Sequence, residues 1–133
     1  MTPQEIFEKA YISVVKQGCP SLKHSTTVAT AMICAYRGDG GTACGVGHLI
    51  DDETAREWDM IGAIDDVIAQ LEDHLPYWVI SNARLLQQIQ YAHDFAEAEE
   101  RTGSPENFTQ LFKDKMSLVA NQFTLTVPDI PNT

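Results

Sequence analysis

Four stretches of this 133-residue chain carry apolar residues at helical spacing, and this periodicity constrains the fold more than any other feature. The first stretch follows Thr2-Pro3-Gln4-Glu5, a capping box with proline at the first helical position. Gly18, with Pro20 close behind it, predicts the end of this helix. Its predicted buried stripe is Ile6, Phe7, Ala10, Tyr11 and Val14.

The central segment predicts two more helices. Asp51-Asp52-Glu53 offers an N-cap and an acidic first turn for a short helix that ends near Trp58. A longer helix is predicted from Asp59 to about His74, because Pro76 breaks the pattern. The apolar side of this longer helix holds Ile61, Ile64, Ile68 and Leu71. Its opposite side holds a row of carboxylates, Asp59, Asp65, Asp66, Glu72 and Asp73.

The last third of the chain predicts another two helices. Ser81 can cap a helix that runs to about Glu100, and Gly103 ends it. The final helix starts at Ser104-Pro105-Glu106-Asn107. The predicted buried stripes are Leu85, Leu86, Ile89, Ala92, His93 and Ala96 in the first of these helices, and Phe108, Leu111, Phe112, Met116 and Val119 in the second.

A glycine-rich turn, Arg37-Gly38-Asp39-Gly40-Gly41, separates two short apolar runs. Glycine adopts positive φ at little cost, so this composition indicates a chain reversal. We predict a β-hairpin in which residues 29–36 pair with residues 42–49, preceded by a loop over residues 21–27. Gly45 and Gly47 predict a bulge or the close approach of another backbone.

These elements predict one α+β domain that is mostly helical, with about four to five helices and one β-hairpin around residues 29–49. A chain of this length, 44% hydrophobic and 21% charged, is typical of a single globular domain. We place the domain at residues 1–123 and an extended tail at residues 124–133.

Residues 51–73, which we call the acidic segment, carry nearly all of the net charge of −10. The segment contains nine carboxylates and one base, Arg56, and therefore has a charge of −8. A field of one sign attracts basic surfaces and repels nucleic acid. The partner-binding residues predicted on this basis are Asp51, Asp52, Asp59, Asp65, Asp66, Glu72 and Asp73, with Arg37 at the nearby turn. A merely solvated, solubilising helix face is the alternative.

Arg37 itself has two interpretations. It can contact the partner, or it can serve as a structural donor to loop carbonyls, and the second is favoured because a guanidinium fork readily binds several carbonyls.

The three cysteines, Cys19, Cys34 and Cys44, do not suit a disulfide framework, which would use an even set. The first residues show no basic and apolar signal pattern, and no run of about 18 apolar residues could span a membrane. We therefore expect reduced thiols, a cytoplasmic protein and no membrane partner.

Cys34, Cys44, His48 and His93 are the alternative functional set. Two thiolates and two imidazoles would suit tetrahedral zinc, although the short ligand pairs of zinc motifs are missing. One of the cysteines with a histidine base could also act as a nucleophile. The plain interpretation is that both cysteines and His93 are core residues. We expect no metal, no cofactor and no catalytic residue.

The segment from Cys34 to Asp52 resembles a pattern found in small phage and prophage proteins. The resemblance is carried by Cys34-x-Tyr36-Arg37-Gly38 and by Cys44-x-Val46-Gly47-x-Leu49-Ile50. Weaker similarity extends to the first helix and to the segment from Leu85 to Asp94. This family brings a phage context but no activity, so the resemblance implies a host-cell cytoplasmic setting.

Together these observations predict a small acidic accessory protein of phage type. It would bind and inhibit a host protein with a basic surface, such as a nucleic-acid-handling defence enzyme, in the manner of an anti-CRISPR or anti-restriction inhibitor. It would not bind nucleic acid directly, because its nine basic residues are few and scattered. The alternatives are a zinc-stabilised domain and a small cysteine or metal enzyme.

Overall fold

The computed structural model describes residues 1–25 and 31–130. Within these ranges it contains six α-helices and one two-stranded antiparallel sheet, so the α+β class is confirmed and the helix count is one higher than predicted. In chain order the elements are α1 (Pro3–Gln17), β1 (Leu22–His24), β2 (Met32–Cys34), α2 (Asp52–Asp59), α3 (Ile64–Leu71), α4 (Tyr77–Ser81), α5 (Ala83–Arg101) and α6 (Phe108–Phe123). None of the described helices is long and apolar enough to cross a membrane.

The first helix forms as its sequence predicts. Thr2 Oγ1 accepts a hydrogen bond from the Glu5 N–H at 3.1 Å, and Glu5 Oε1 accepts one from the Thr2 N–H at 3.0 Å. At the other end Gly18 adopts φ 75°, which an L-residue would adopt only with strain. All five residues of the predicted stripe are buried.

The core lies between α1, α5 and α6. α5 packs along α6, and α1 packs against both. The six stripe residues predicted for α5 are the six that the structure buries. Phe112 of α6 stacks on Phe108 at a ring-centroid distance of 6.0 Å and meets Tyr11 of α1 at 6.3 Å. In α6 only Leu111 departs from the prediction, because it is half-buried while Ala120 takes a core place.

The predicted pairing of the hairpin is wrong. β2 pairs with β1, in the register Leu22 with Cys34, and not with residues 42–49. The predicted strand over 29–36 starts in residues that lie outside the described ranges, and its described strand covers Met32–Cys34. Of the loop predicted over residues 21–27, the described part instead supplies β1.

The chain does reverse at the predicted turn, but without a ladder behind it. Gly40 and Gly41 have φ values of 74° and 77°, and the Gly38 N–H donates to the Thr42 carbonyl at 2.9 Å. Gly47, in a 3-10 turn over Gly47–Leu49, then comes so close to Tyr36 that an added Cβ would lie 2.3 Å from the Tyr36 carbonyl oxygen. The predicted close approach at Gly47 is confirmed, and this contact replaces strand pairing.

The helix predicted from Asp59 to His74 starts five residues late. Asp59 is the last residue of α2, and Gly62 with φ 134° followed by the extended Ala63 forms a corner before α3 begins at Ile64. A 3-10 turn over Glu72–His74 completes the segment. The corner matters because it gives Asp59 a different environment from the other carboxylates.

Arg37 holds the loop between β2 and α2 in place. Its Nη1 donates to the carbonyls of Tyr36 at 3.1 Å and Gly47 at 2.6 Å, and its Nη2 donates to the Ile50 carbonyl at 2.8 Å. Its Nε donates to Asp52 Oδ1 at 2.9 Å. The structural interpretation of Arg37 is therefore confirmed.

Asp59 secures the same loop from the other side. Its two carboxylate oxygens accept the backbone N–H of Tyr36 at 2.8 Å and that of Arg37 at 3.1 Å. Lys23 Nζ lies 3.9 Å from Asp59 Oδ1. Asp59 and Arg37 together connect β1, the loop and α2, and we call this pair with its backbone partners the Arg37–Asp59 clamp.

The described part of the tail runs beside α1. Gln4 exchanges two hydrogen bonds with the backbone of Thr126, at 2.8 Å and 2.9 Å. Leu125, Val127 and Ile130 are half-buried against the core. The last three residues of the predicted tail lie outside the described ranges.

We predict that Arg37→Lys lowers the free energy of unfolding by about 2 kcal/mol and Arg37→Ala by about 3 kcal/mol, because an ammonium cannot reach three carbonyls that stay partly buried. Urea unfolding measures both losses. Asp52→Asn is the matched control: it removes only the partner whose side chain is 84% exposed, and should cost less than about 1 kcal/mol. An equal loss in Asp52→Asn and Arg37→Lys would show that the ion pair, rather than the carbonyl contacts, is what stabilises the loop.

Candidate partner-binding surface

Eight of the nine carboxylates in the acidic segment are exposed on α2, α3 and the 3-10 turn that follows α3. They are Asp51, Asp52, Glu53, Glu57, Asp65, Asp66, Glu72 and Asp73. Within the described ranges the only ion pairs of this segment are those of Asp52 with Arg37 and of Asp59 with Lys23. Most of the negative charge of the segment therefore faces solvent without a compensating cation.

Asp51 is exposed but also has a local role. Its Oδ1 accepts the Thr54 N–H at 2.8 Å and caps α2, and this hydrogen bond lowers the pKa of its carboxyl group. The lowered pKa keeps the Asp51 carboxylate negative at neutral pH.

Asp59 does not belong to the exposed row, and the prediction that placed it there is wrong. Its side chain is 11% exposed and its oxygens are engaged by the Arg37–Asp59 clamp. The difference follows from the corner at Gly62, which places Asp59 at the end of α2 instead of the start of α3. Arg37 is likewise committed to the loop, although its side chain is 30% exposed beside Asp52.

An open groove of about 390 Å³ lies between the acidic segment and the residues on either side of it, and we call it the α2–α4 groove. One side is a face of α2, with Thr54, Glu57 and Trp58 at helical spacing below the cap Asp51. The other side comes from the end of α3, the residues after it, and α4. The apolar lining residues are Leu49, Ile50, Trp58, Leu71, Leu75, Pro76, Trp78 and Val79, and His74 also lines the groove.

The floor of the groove is fixed by the core behind it. Trp58 is 1% exposed and its ring meets Tyr36 edge-on at 5.6 Å. The Tyr36 hydroxyl donates to the Gly62 carbonyl at 2.8 Å and accepts from Gln90 Nε2 at 3.2 Å. Gln90 of α5 also accepts the Ile64 N–H at 2.9 Å. The groove therefore rests on a preformed support.

The four residues of the zinc hypothesis do not come together. The described metal-type donor cluster is Cys34, His93 and Asp94, whose ligand atoms lie within 4.8 Å of one another. Cys44 Sγ instead accepts the Gly47 N–H at 3.3 Å, and His48 Nε2 bonds Gln17 Oε1 at 3.1 Å. Gln17 Oε1 already accepts the Ala43 N–H, so the His48 nitrogen is the donor in this contact.

The cluster itself is poorly arranged for a metal because of His93. Its Nε2 accepts the Ser21 N–H at 3.0 Å, so the ring proton sits on Nδ1, which is 2.9 Å from Asp94 Oδ1. A metal-ligating histidine normally donates its other N–H, whereas here the far nitrogen is already an acceptor. The fully buried His93 thus joins α5 to the chain just before β1, and it packs edge-on against Phe108.

The thiols near this cluster are not activated. Burial raises the pKa of Cys34, and the neighbouring Asp94 raises it further. Burial also raises the pKa of Cys44 to about 12. A nucleophilic cysteine needs a lowered pKa and a base, but Asp94 here accepts hydrogen bonds and adds negative charge.

Sequence reasoning missed Asp94 and most of the groove. Asp94 follows His93 directly, but the predicted ligand set held only cysteines and histidines and so did not include it. The signal for the groove was present in Leu75-Pro76-Tyr77-Trp78, where aromatic residues follow the acidic segment.

Comparison with known proteins adds no identity, because no protein-family model, no curated protein and no solved structure matches this chain.

We predict that a thiol reagent at neutral pH modifies one cysteine per native chain quickly, namely the exposed Cys19, because Cys34 and Cys44 are half-buried and buried with raised pKa values. Counting the released chromophore before and after a chelator measures this. Cys19→Ser, the control, should abolish the fast phase. A second fast thiol would support a reactive Cys34, and one that appears only with chelator would support a thiolate–metal site.

We also predict that His48 makes the fold less stable in mild acid. Burial, followed by the nearby positive charge of Arg37, lowers the pKa of His48 from its usual 6.5. The unfolded chain therefore binds more protons at this site, and the free energy of unfolding falls as the pH decreases through that value. Urea unfolding between about pH 5 and pH 7.5 should show a shallower decline for His48→Gln than for the original chain. Parallel pH curves would contradict this assignment.

Proposed function

We propose that this chain is a non-enzymatic accessory protein that binds a basic surface of a partner protein through the exposed carboxylates of its acidic segment. The observation that carries the proposal is that these carboxylates have almost no ion pairs within the described ranges. Like charges held together on short helices repel one another, and a basic partner relieves that repulsion. Complementary charge also speeds the encounter of the two proteins.

The finer proposal is inhibition. A surface of closely spaced carboxylates has the same sign of charge as a phosphate backbone, so a basic nucleic-acid groove would attract it. A phage-type protein that occupies such a groove in a host defence enzyme would block it without chemistry of its own. The resemblance of residues 34–52 to phage and prophage proteins supports this setting, and the raised thiol pKa values favour binding over catalysis.

A zinc-stabilised domain is the second candidate, and the grouping of Cys34, His93 and Asp94 is the observation that favours it. The hydrogen bond from Ser21 to His93 weighs against it. The thiol count with and without chelator decides between the two.

We predict that a fourfold variant, Asp65→Asn with Asp66→Asn, Glu72→Gln and Asp73→Asn, keeps its melting temperature and loses partner binding. The four groups are exposed and make no ion pair in the described structure, so the fold does not need their charges. Binding is measured as the amount of each bacterial-lysate protein captured on the immobilised chain at increasing salt, and capture by the original chain should weaken with salt.

The matched control removes four exposed carboxylates outside the acidic segment, through Asp39→Asn, Glu99→Gln, Glu106→Gln and Asp129→Asn. It has the same net charge as the test variant, so a generic charge effect would weaken both equally. Equal capture by the test variant and the original chain would refute the carboxylates of α3 and the turn after it as the binding site.

A further inference from the structure

The α2–α4 groove combines an apolar floor with an acidic surround. Trp58 and Val79 are buried at its base, whereas Leu71, Leu75 and Trp78 are half-buried and leave part of their apolar surface to solvent. Its volume of about 390 Å³ lies within the usual range of ligand clefts, roughly 300–1,000 Å³.

Two carboxylates line the α2 side of this groove. Asp51 caps α2, and Glu57 follows six residues later, about 9 Å along the helix axis, with Trp58 directly after it. Asp51 accepts the Thr54 N–H, and neither carboxylate pairs with a cation within the described ranges. An apolar side chain seated on Trp58 would therefore have both anionic groups along one side of the groove, towards the start of α2.

We propose that the α2–α4 groove is the specific docking site for a segment of the partner in which an aromatic or aliphatic side chain stands next to Lys or Arg residues. This proposal rests on the proposed function and names its recognition element. The apolar anchor would fill the space above Trp58 and contact Leu71, Leu75 and Trp78. The neighbouring cations would reach Glu57 and, towards the start of α2, Asp51.

Charge complementarity selects this occupant over the alternatives. The lining residues from Asp51 to Leu71 belong to the segment with a charge of −8, so a nucleic acid or an anionic membrane is repelled. A second copy of this chain would bring a further −10 to the same surface. Buried aromatic anchors with a charged rim are also the usual energetic centre of protein interfaces.

The test uses the intrinsic fluorescence of the chain. Trp58 and Trp78 are its only two tryptophans, and both line the groove. Short peptides are selected from a random display library on the immobilised full chain and then synthesised without tryptophan. We expect the selected peptides to place a Phe, Leu or Ile next to basic residues and to change the tryptophan emission saturably. Replacing the anchor with Ser should weaken binding at least about tenfold.

Variants of the chain locate the site. Thr54→Arg puts a long cation into the groove and should weaken peptide binding at least about tenfold. Gln122→Arg, at an exposed position of α6, makes the same change in charge and should leave it unchanged. Trp78→Ala should also weaken binding. Its control is Tyr77→Ala, which removes an aromatic ring from the same helix but outside the groove lining, and should leave binding unchanged. Circular dichroism melts confirm that each variant folds.

The outcomes separate this proposal from the function on which it rests. Suppose that basic peptides bind the original chain and the Thr54→Arg variant equally, do not change the tryptophan emission, and fail to bind the fourfold carboxylate variant. This result would overturn the groove as the docking site and keep the acidic surface. If uncharged apolar peptides alter the emission, the occupant is not a basic segment. Saturable self-association, measured by sedimentation and abolished by Thr54→Arg, would likewise replace the basic segment with a second copy of this chain. If no basic peptide is selected, both proposals fall.

Discussion

The Arg37–Asp59 clamp is the interaction on which the rest of the structure depends. The loop between β2 and α2 has no strand partner, so its backbone groups need other hydrogen bonds. Arg37 supplies donors to three carbonyls, and Asp59 supplies acceptors to two N–H groups of the same loop. The Arg37 guanidinium and the Asp59 carboxylate thus satisfy backbone groups that strand pairing would otherwise satisfy. They also fix α2 relative to β1.

The clamp accounts for two of the nine carboxylates in the acidic segment. Asp59 stabilises the fold, and Asp52 accepts a hydrogen bond from Arg37 at the surface. The rest remain exposed, and Asp51 and Glu57 among them line the α2–α4 groove. Because Tyr36 lies in this loop and its ring supports Trp58, the clamp that orders the loop also positions the floor of that groove. Fold and proposed binding surface therefore share the same supports.

The groove and the acidic surface together suit a partner that is both basic and apolar. Electrostatic attraction acts over about 8–10 Å at physiological salt and guides the encounter, whereas the apolar contact acts only when the surfaces meet. Cys44 and His93 lie away from the groove. Both are buried and hydrogen-bonded, which makes them part of the scaffold that holds the binding surface.

Local sequence signals determined α1, α5 and α6 almost by themselves. The capping box at Thr2, the stripe of α5 and the positive φ at Gly40 and Gly41 follow from contacts within a few residues, and the structure has them where the sequence predicts. Only the tertiary structure decided which segments pair. Residues 22–24 carried no strand pattern, yet they pair with β2, because the partner a short strand finds depends on how the surrounding chain packs. The tertiary structure also decided that Asp59 turns inward and that Trp58 and Trp78 face one groove. The corner at Gly62 and the support of Trp58 by Tyr36 depend on contacts between residues far apart in the chain.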